Sequence, residues 1–164
     1  MSGQPKEGWK AMIFAAGFGT RLKPFTDRHP KALAPVNGKP LLQRTIEYLH
    51  SQGVQSFIIN VHHFADQITD FLGSNNRFGL DITISHEVEE PLETGGGLMK
   101  AAWFFKEDKE PFIVMNADIL TDMDIRKMMA EHKKVKPLVS LAVTNRNSSR
   151  SFLFNENQVL CGWK

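Results

Sequence analysis

Apolar residues in this chain alternate between short unbroken runs and longer stretches where they return every three or four positions. The runs Ala11 to Ala15, Ser56 to Val61, Ile82 to Ser85, Phe112 to Met115 and Leu138 to Thr144 have strand length and character. Between them, helical spacing covers Pro40 to Gln52, ended by Gly53, and Ala65 to Leu72, ended by Gly73. It returns over Gly96 to Phe105 and Asp124 to Lys134. Strand and helix thus alternate, and parallel neighbours need crossover helices. The pattern predicts an α/β domain of three layers, with a mostly parallel (mixed) sheet between helices. Asn147 to Arg150 is polar and predicts a turn. Phe152 to Lys164 then follows as strand, turn and strand, an apolar hairpin that something further along a longer chain is expected to cover.

At 164 residues the length suits one such domain, residues 9–164, after a flexible tail at residues 1–8. Twenty basic against 18 acidic side chains leave a formal charge of +2, without a basic block or stripe, so no nucleic-acid partner is indicated. One cysteine, Cys161, excludes an intrachain disulfide, and no apolar stretch reaches membrane-spanning length. The expectation is a cytoplasmic protein without a membrane partner.

The chemistry concentrates where the first strand ends. Residues Ala15 to Val36 read AAGFGTRLKPFTDRHPKALAPV. Gly17 and Gly19 let successive N–H groups converge on an anion, Arg21 adds a planar fork of donors, and Lys31 adds a mobile charge. A strand's C-terminal end is the usual ligand edge of an open α/β sheet. Two common phosphate loops are excluded. The dinucleotide fingerprint needs glycine where Leu22 stands, and the P-loop needs Gly-Lys-Ser/Thr where Gly19, Thr20 and Arg21 stand. Pro24 and Pro30 are expected to bring Lys31 back over the loop.

A second site is Met115-Asn116-Ala117-Asp118, which places a carboxylate at the end of an apolar strand, where magnesium carried on phosphates can meet it. Thr121 or Asp122 is expected to cap the helix starting near Asp124. A third is Leu92 to Leu98, LETGGGL, whose three glycines are expected to precede a helix and expose its first N–H groups. His62 and His63 sit side by side on an extended segment and point to opposite faces, with no second ligand at a recognisable spacing for zinc.

The stretch from Gly17 to Val36 resembles the G-x-G-T-R-L-x-P-x-T-x-x-x-P-K-A-L-x-P-V pattern of sugar-1-phosphate nucleotidyltransferases, with every fixed position present. The LETGGGL segment resembles the muramate-1-phosphate uridylyltransferase and mannose-1-phosphate guanylyltransferase branches. The resemblance implies a Rossmann-like nucleotidyltransferase fold that moves a nucleoside monophosphate from an NTP to a sugar 1-phosphate, releasing pyrophosphate. It implies Mg2+ at Asp118 and catalytic roles for Arg21 and Lys31. Nucleotide binding falls to Ala15, Ala16, Gly17, Gly19, Thr20, Arg21, Lys31, Thr94, Gly95 and Gly96, with UTP or GTP favoured. A homo-oligomer is compatible with it. Relatives run further, and their C-terminal part supplies much of the sugar-phosphate pocket and a second metal carboxylate, so this chain is expected to be the NTP-binding part, to bind an NTP weakly, and to catalyse poorly or not at all alone. Two alternatives remain open: a nucleotidyltransferase with a non-sugar acceptor, and a non-catalytic nucleotide-binding module on the same fold.

Overall fold

The computed structural model describes residues 8–106, 110–144, 149 and 151–164. The expected tail at residues 1–8 lies, but for Gly8, outside them, as does the expected turn at 147–150 but for Ser149. In chain order the strands are β1 (Trp9–Phe14), β2 (Pro35–Val36), β3 (Lys39–Pro40), β4 (Val54–Val61), β5 (Asp81–His86), β6 (Ile113–Asn116), β7 (Phe152–Phe154) and β8 (Leu160–Trp163). The α-helices are α1 (Leu41–Ser51), α2 (Ala65–Ser74), α3 (Glu93–Ala101) and α4 (Ile125–Val135).

Four strands form the central sheet in the order β5-β4-β1-β6, every pair parallel. Among the described residues, antiparallel pairing is confined to two separate ladders, β2 with β3 and β7 with β8. β4 has a neighbour on each side and helices above and below, and every residue of its sequence, VQSFIINV, is buried except the half-buried Gln55. The two-residue period of the strands sorts the core into two faces. Ala11, Ile13, Phe57 and Ile59 pack with Leu42, Ile46 and Leu49 of α1 and with Ile68 and Leu72 of α2. Met12 and Ile58 point the other way, onto Ala101, Phe105 and the α3 side. The expected three layers are therefore present.

α1 buries Leu41, Leu42, Thr45, Ile46 and Leu49, a stripe at helical spacing. Gly53, at φ 110, closes its end as the sequence predicts, and its N–H donates to the His50 carbonyl. α4 docks at the same end of α1. The Ile125 N–H donates to Gln52 Oε1 at 3.1 Å, and the Tyr48 hydroxyl donates to the Met123 carbonyl.

Several sequence expectations are corrected. Leu138 to Thr144 is not a strand. It has apolar character, but among the described residues no strand pairs with it, and Leu138 stands 98% exposed. Gly73 does not stop α2, which runs on to Ser74, because one glycine costs a helix interior only about 1 kcal/mol. The helix expected from Gly96 begins at Glu93, and its last turn, Ala102–Phe105, tightens to a 3-10 helix. Asp124, rather than Thr121 or Asp122, caps α4, with its carboxylate accepting from the Lys127 N–H at 3.1 Å. The hairpin of β7 and β8 forms as predicted, and Phe152, Leu160 and Trp163 on it are exposed. Among the described residues no helix is long and apolar enough to cross a membrane.

Phe57 is fully buried on the central strand between α1 and α2. Phe57→Ala should lower the unfolding free energy by about 3–5 kcal/mol. Denaturant unfolding checks this, and a loss well below that range would mean that the layer over β4 is loosely packed.

Candidate functional site

In the sheet order the chain steps from β1 outward through β4 to β5, then returns to lay β6 on the opposite side of β1. Loops leaving β1 and β6 therefore diverge, and a crevice opens between them at the C-terminal edge of the sheet. The cleft there has a volume of about 460 Å³.

The β6 side is held tightly. The Ala117 N–H continues the ladder to the Phe14 carbonyl at 3.0 Å, so Asp118 leaves the sheet at its rim. The hydroxyl of buried Thr45 is shared between the carbonyls of Ala117, at 3.0 Å, and Leu41, at 3.1 Å, which ties that turn to α1.

The β1 side is the glycine-bearing loop. Gly19 takes φ 63, closed to most side chains, and a Cβ there would stand 2.7 Å from Lys31 Cβ and 3.0 Å from Thr26 Cγ2. Thr26 Oγ1 and the Leu22 N–H both donate to the Gly19 carbonyl, at 3.0 and 2.8 Å. The stem of Lys31 thus lies directly over Gly19. This is the fold-back expected from the prolines, and it carries Lys31 Nζ onto Oδ2 of Asp118 as an ion pair. The two residues are 87 positions apart and only partly exposed. Gly17 has ordinary φ, and a Cβ on it would meet nothing within 4 Å. It lines the cleft, so the missing side chain leaves room there.

Of the residues singled out from sequence, Ala15, Ala16, Gly17, Arg21, Lys31, Thr94 and Asp118 line this one cleft. Gly19, Thr20, Gly95 and Gly96 do not; Gly19 supports Lys31 from behind, and Thr20 opens a 3-10 turn. The triple glycine lies inside α3 rather than before it, because the helix starts at Glu93. Asp122 and the two histidines also lie off the cleft lining. The rings of His62 and His63 flank Phe18, with centroids 5.6 and 5.9 Å away.

Sequence reasoning missed Asn60 and Glu87, which are 2% and 1% exposed and form the floor of the cleft. Asn60 Oδ1 accepts from the Ala15 N–H, and its Nδ2 donates to Glu87 Oε1, both at 2.8 Å. Glu87 Oε2 accepts from the Leu92 N–H at 2.8 Å. Asn60 is one of three polar residues on β4, with Gln55 and Ser56, and nothing in the sequence alone sets it apart from them. Glu93 was missed as well; it lines the cleft at φ 57, a left-handed conformation that costs a non-glycine residue energy and is found at functional sites.

The chemistry of the cleft is that of an anion site beside a carboxylate. Arg21 and Lys31 supply positive charge, and Asp118 supplies the hard oxygen donor that suits a divalent cation. Among the described residues no group of three or more His, Cys, Asp or Glu side chains could cage a metal. The donor set fits a dication that arrives with phosphate oxygens, and the ammonium of Lys31 already marks Asp118 as a place for positive charge.

A family model described as nucleotidyl transferase matches residues 10–152. The N-acetylmuramate alpha-1-phosphate uridylyltransferase of Neisseria meningitidis is 42% identical over 115 residues, 70% of this chain and 49% of that protein. The mannose-1-phosphate guanyltransferase beta-B of Xenopus laevis is 38% identical over 125 residues, 76% of this chain and 34% of that protein. The crystal structure of HddC from Yersinia pseudotuberculosis, complexed with GMP-PN, is 35% identical with a TM-score of 0.65, covering 76% of this chain and 54% of that one. The chain spans about a third to a half of the length of these two curated relatives.

The two loop glycines should respond oppositely to alanine. Gly19→Ala forces a Cβ into the left-handed region and against Lys31, and should cost about 1–2 kcal/mol or more of stability. Gly17→Ala has room and should unfold like the parent chain, while its methyl group obstructs the cleft and weakens anion binding. Thermal unfolding alongside triphosphate titration separates the two, and equal melting points would contradict the loop geometry.

Proposed function

The chain belongs to the nucleotidyl transferase family, and from that premise we propose that residues 9–164 form the NTP-binding part of an enzyme that transfers a nucleoside monophosphate from an NTP to a sugar 1-phosphate. One observation carries this reading: Arg21, Lys31 and Asp118, from separate turns of the chain, meet around a single cleft at the switch point of the sheet. In the reaction an oxygen of the sugar phosphate attacks the α-phosphorus, and the bond to the β-phosphate oxygen breaks to release pyrophosphate. Bringing several anionic oxygens into line is mainly a matter of position and charge, so cations and backbone donors suffice without a protein nucleophile.

Arg21 presents a planar fork suited to the leaving pyrophosphate, and Lys31 presents a point charge that can follow the reacting phosphate. Asp118 would hold a magnesium ion, which when bound supplies charge neutralisation across the phosphates. Gly17 keeps the loop free of side-chain bulk where the triphosphate passes. The named relatives include a uridylyltransferase and a guanyltransferase, which supports UTP or GTP as the donor. They also support a sugar 1-phosphate as the acceptor.

The test is a panel of NTPs and sugar 1-phosphates, scored for nucleotide binding and for pyrophosphate release. Lys31→Ala and Arg21→Ala should each reduce turnover by more than about tenfold, because charge-assisted contacts to developing charge are worth roughly 2–4 kcal/mol. Both residues are partly or largely exposed, so the variants should stay folded. Asp118→Asn should keep its shape and need more magnesium. Normal turnover in folded Lys31 and Arg21 variants would overturn the assignment, and an unchanged magnesium dependence would move the metal away from Asp118.

A further inference from the structure

Every polar atom of Glu87 is engaged inside the protein. Its N–H donates to the Val61 carbonyl at 2.8 Å, and its carbonyl meets the ring of His62 at 2.7 Å. One carboxyl oxygen takes the Asn60 amide and the other takes the Leu92 N–H. Asn60 in turn takes the Ala15 N–H. A buried relay thus runs from Ala15, the first residue of the phosphate loop, through β4 and the end of β5 to Leu92, the residue before α3. Helix α3 also sits directly on it. A Cβ on Gly97 would stand 2.8 Å from Glu87 Oε1, 2.9 Å from Asn60 Nδ2 and 3.3 Å from Phe14. The third glycine of the triplet is therefore demanded by this pair rather than by a ligand.

Burying a carboxyl and a carboxamide is costly, and apolar residues would fill the same place on a central strand at less cost. What a polar relay adds is direction. We propose that Asn60 and Glu87 are positioning residues that fix the distance between the phosphate loop at Ala15–Gly17 and the Glu93–Thr94 wall of the cleft, so that one rigid nucleotide spans both. The inference rests on the reading of the cleft as an NTP site. The pair shows its directionality in its hydrogen-bond inventory. Two N–H donors, from Asn60 and Leu92, face the two oxygens of Glu87, and a third, from Ala15, faces the oxygen of Asn60. Glu87→Gln must aim its NH2 at one of these donors. Asn60→Asp must set a second carboxyl against the first. Together they restore the pattern in reverse: the new carboxyl at 60 accepts from Ala15 and from the new amide at 87, whose oxygen accepts from Leu92. Shape and total charge are those of the parent chain.

The experiment measures GTP and UTP affinity by titration, the melting temperature, and amide hydrogen exchange at Ala15 and Leu92, in the parent chain, both single variants and the double variant. Each single variant should bind nucleotide about tenfold more weakly, the scale of one lost buried hydrogen bond, and exchange those two amides faster. The double variant should return affinity and exchange close to parental values. Single variants that melt lower yet bind nucleotide as the parent does would reduce the pair to a structural role and overturn the proposal, as would a double variant no better than the singles. A parent chain that binds neither nucleotide would overturn the NTP reading and this inference with it, and that outcome is seen before any variant is compared.

Discussion

Parallel pairing is the constraint from which the site follows. Strands that run in one direction release their chains at one edge, so residues after β1, β4, β5 and β6 have to assemble there whatever their separation in sequence. Placing β1 inside the sheet, with β4 on one side and β6 on the other, parts the outgoing loops and leaves a crevice instead of a covered edge. Lys31 and Asp118 meet because of this topology. Neither a hairpin nor a local turn brings them together.

Much of this was legible from residue patterns because the physics behind it is local. A two-residue period marks the faces of β1 and β4, and helical spacing marks α1. The glycine-arginine-proline-lysine series marks a loop whose shape is fixed by its own backbone preferences, and Lys31 lies over Gly19 as those preferences suggest. Asp118 was legible because a strand end is a local event. What escaped depends on neighbours supplied by distant parts of the chain. Leu138 to Thr144 has the composition of a strand, yet a strand exists only with a partner to pair with. Asn60 and Glu87 are unremarkable singly and acquire meaning only when β4 and β5 lie side by side in register. The triple glycine was visible, but the reason for Gly97 is the pair beneath it, and the start of α3 was hidden because glycine lowers helix propensity where the helix begins.

The core and the site are connected through a few polar groups set among apolar ones. Thr45 belongs to the buried stripe of α1, yet its hydroxyl steadies the turn that carries Asp118. Asn60 belongs to the most buried strand, yet it holds Ala15, where the glycine-bearing loop begins. Backbone groups at the rim of the sheet would otherwise be satisfied by water, which leaves a loop free to wander. Here side chains rooted in the core take them, so the rigidity of close-packed layers extends to the cleft.

The pairing of Lys31 with Asp118 bears on how the cleft meets ions. Each group satisfies the other, so a bare anion reaches Lys31 only by drawing it from its carboxylate, and a bare dication reaches Asp118 only by displacing an ammonium. Neither exchange gains a contact of opposite sign. On the proposed function, a metal and a polyphosphate arriving together would trade one internal ion pair for two external ones, lysine with phosphate and carboxylate with metal. An exchange of partners also changes net exposed charge less than docking onto an open cationic loop, so its response to ionic strength is correspondingly shallow.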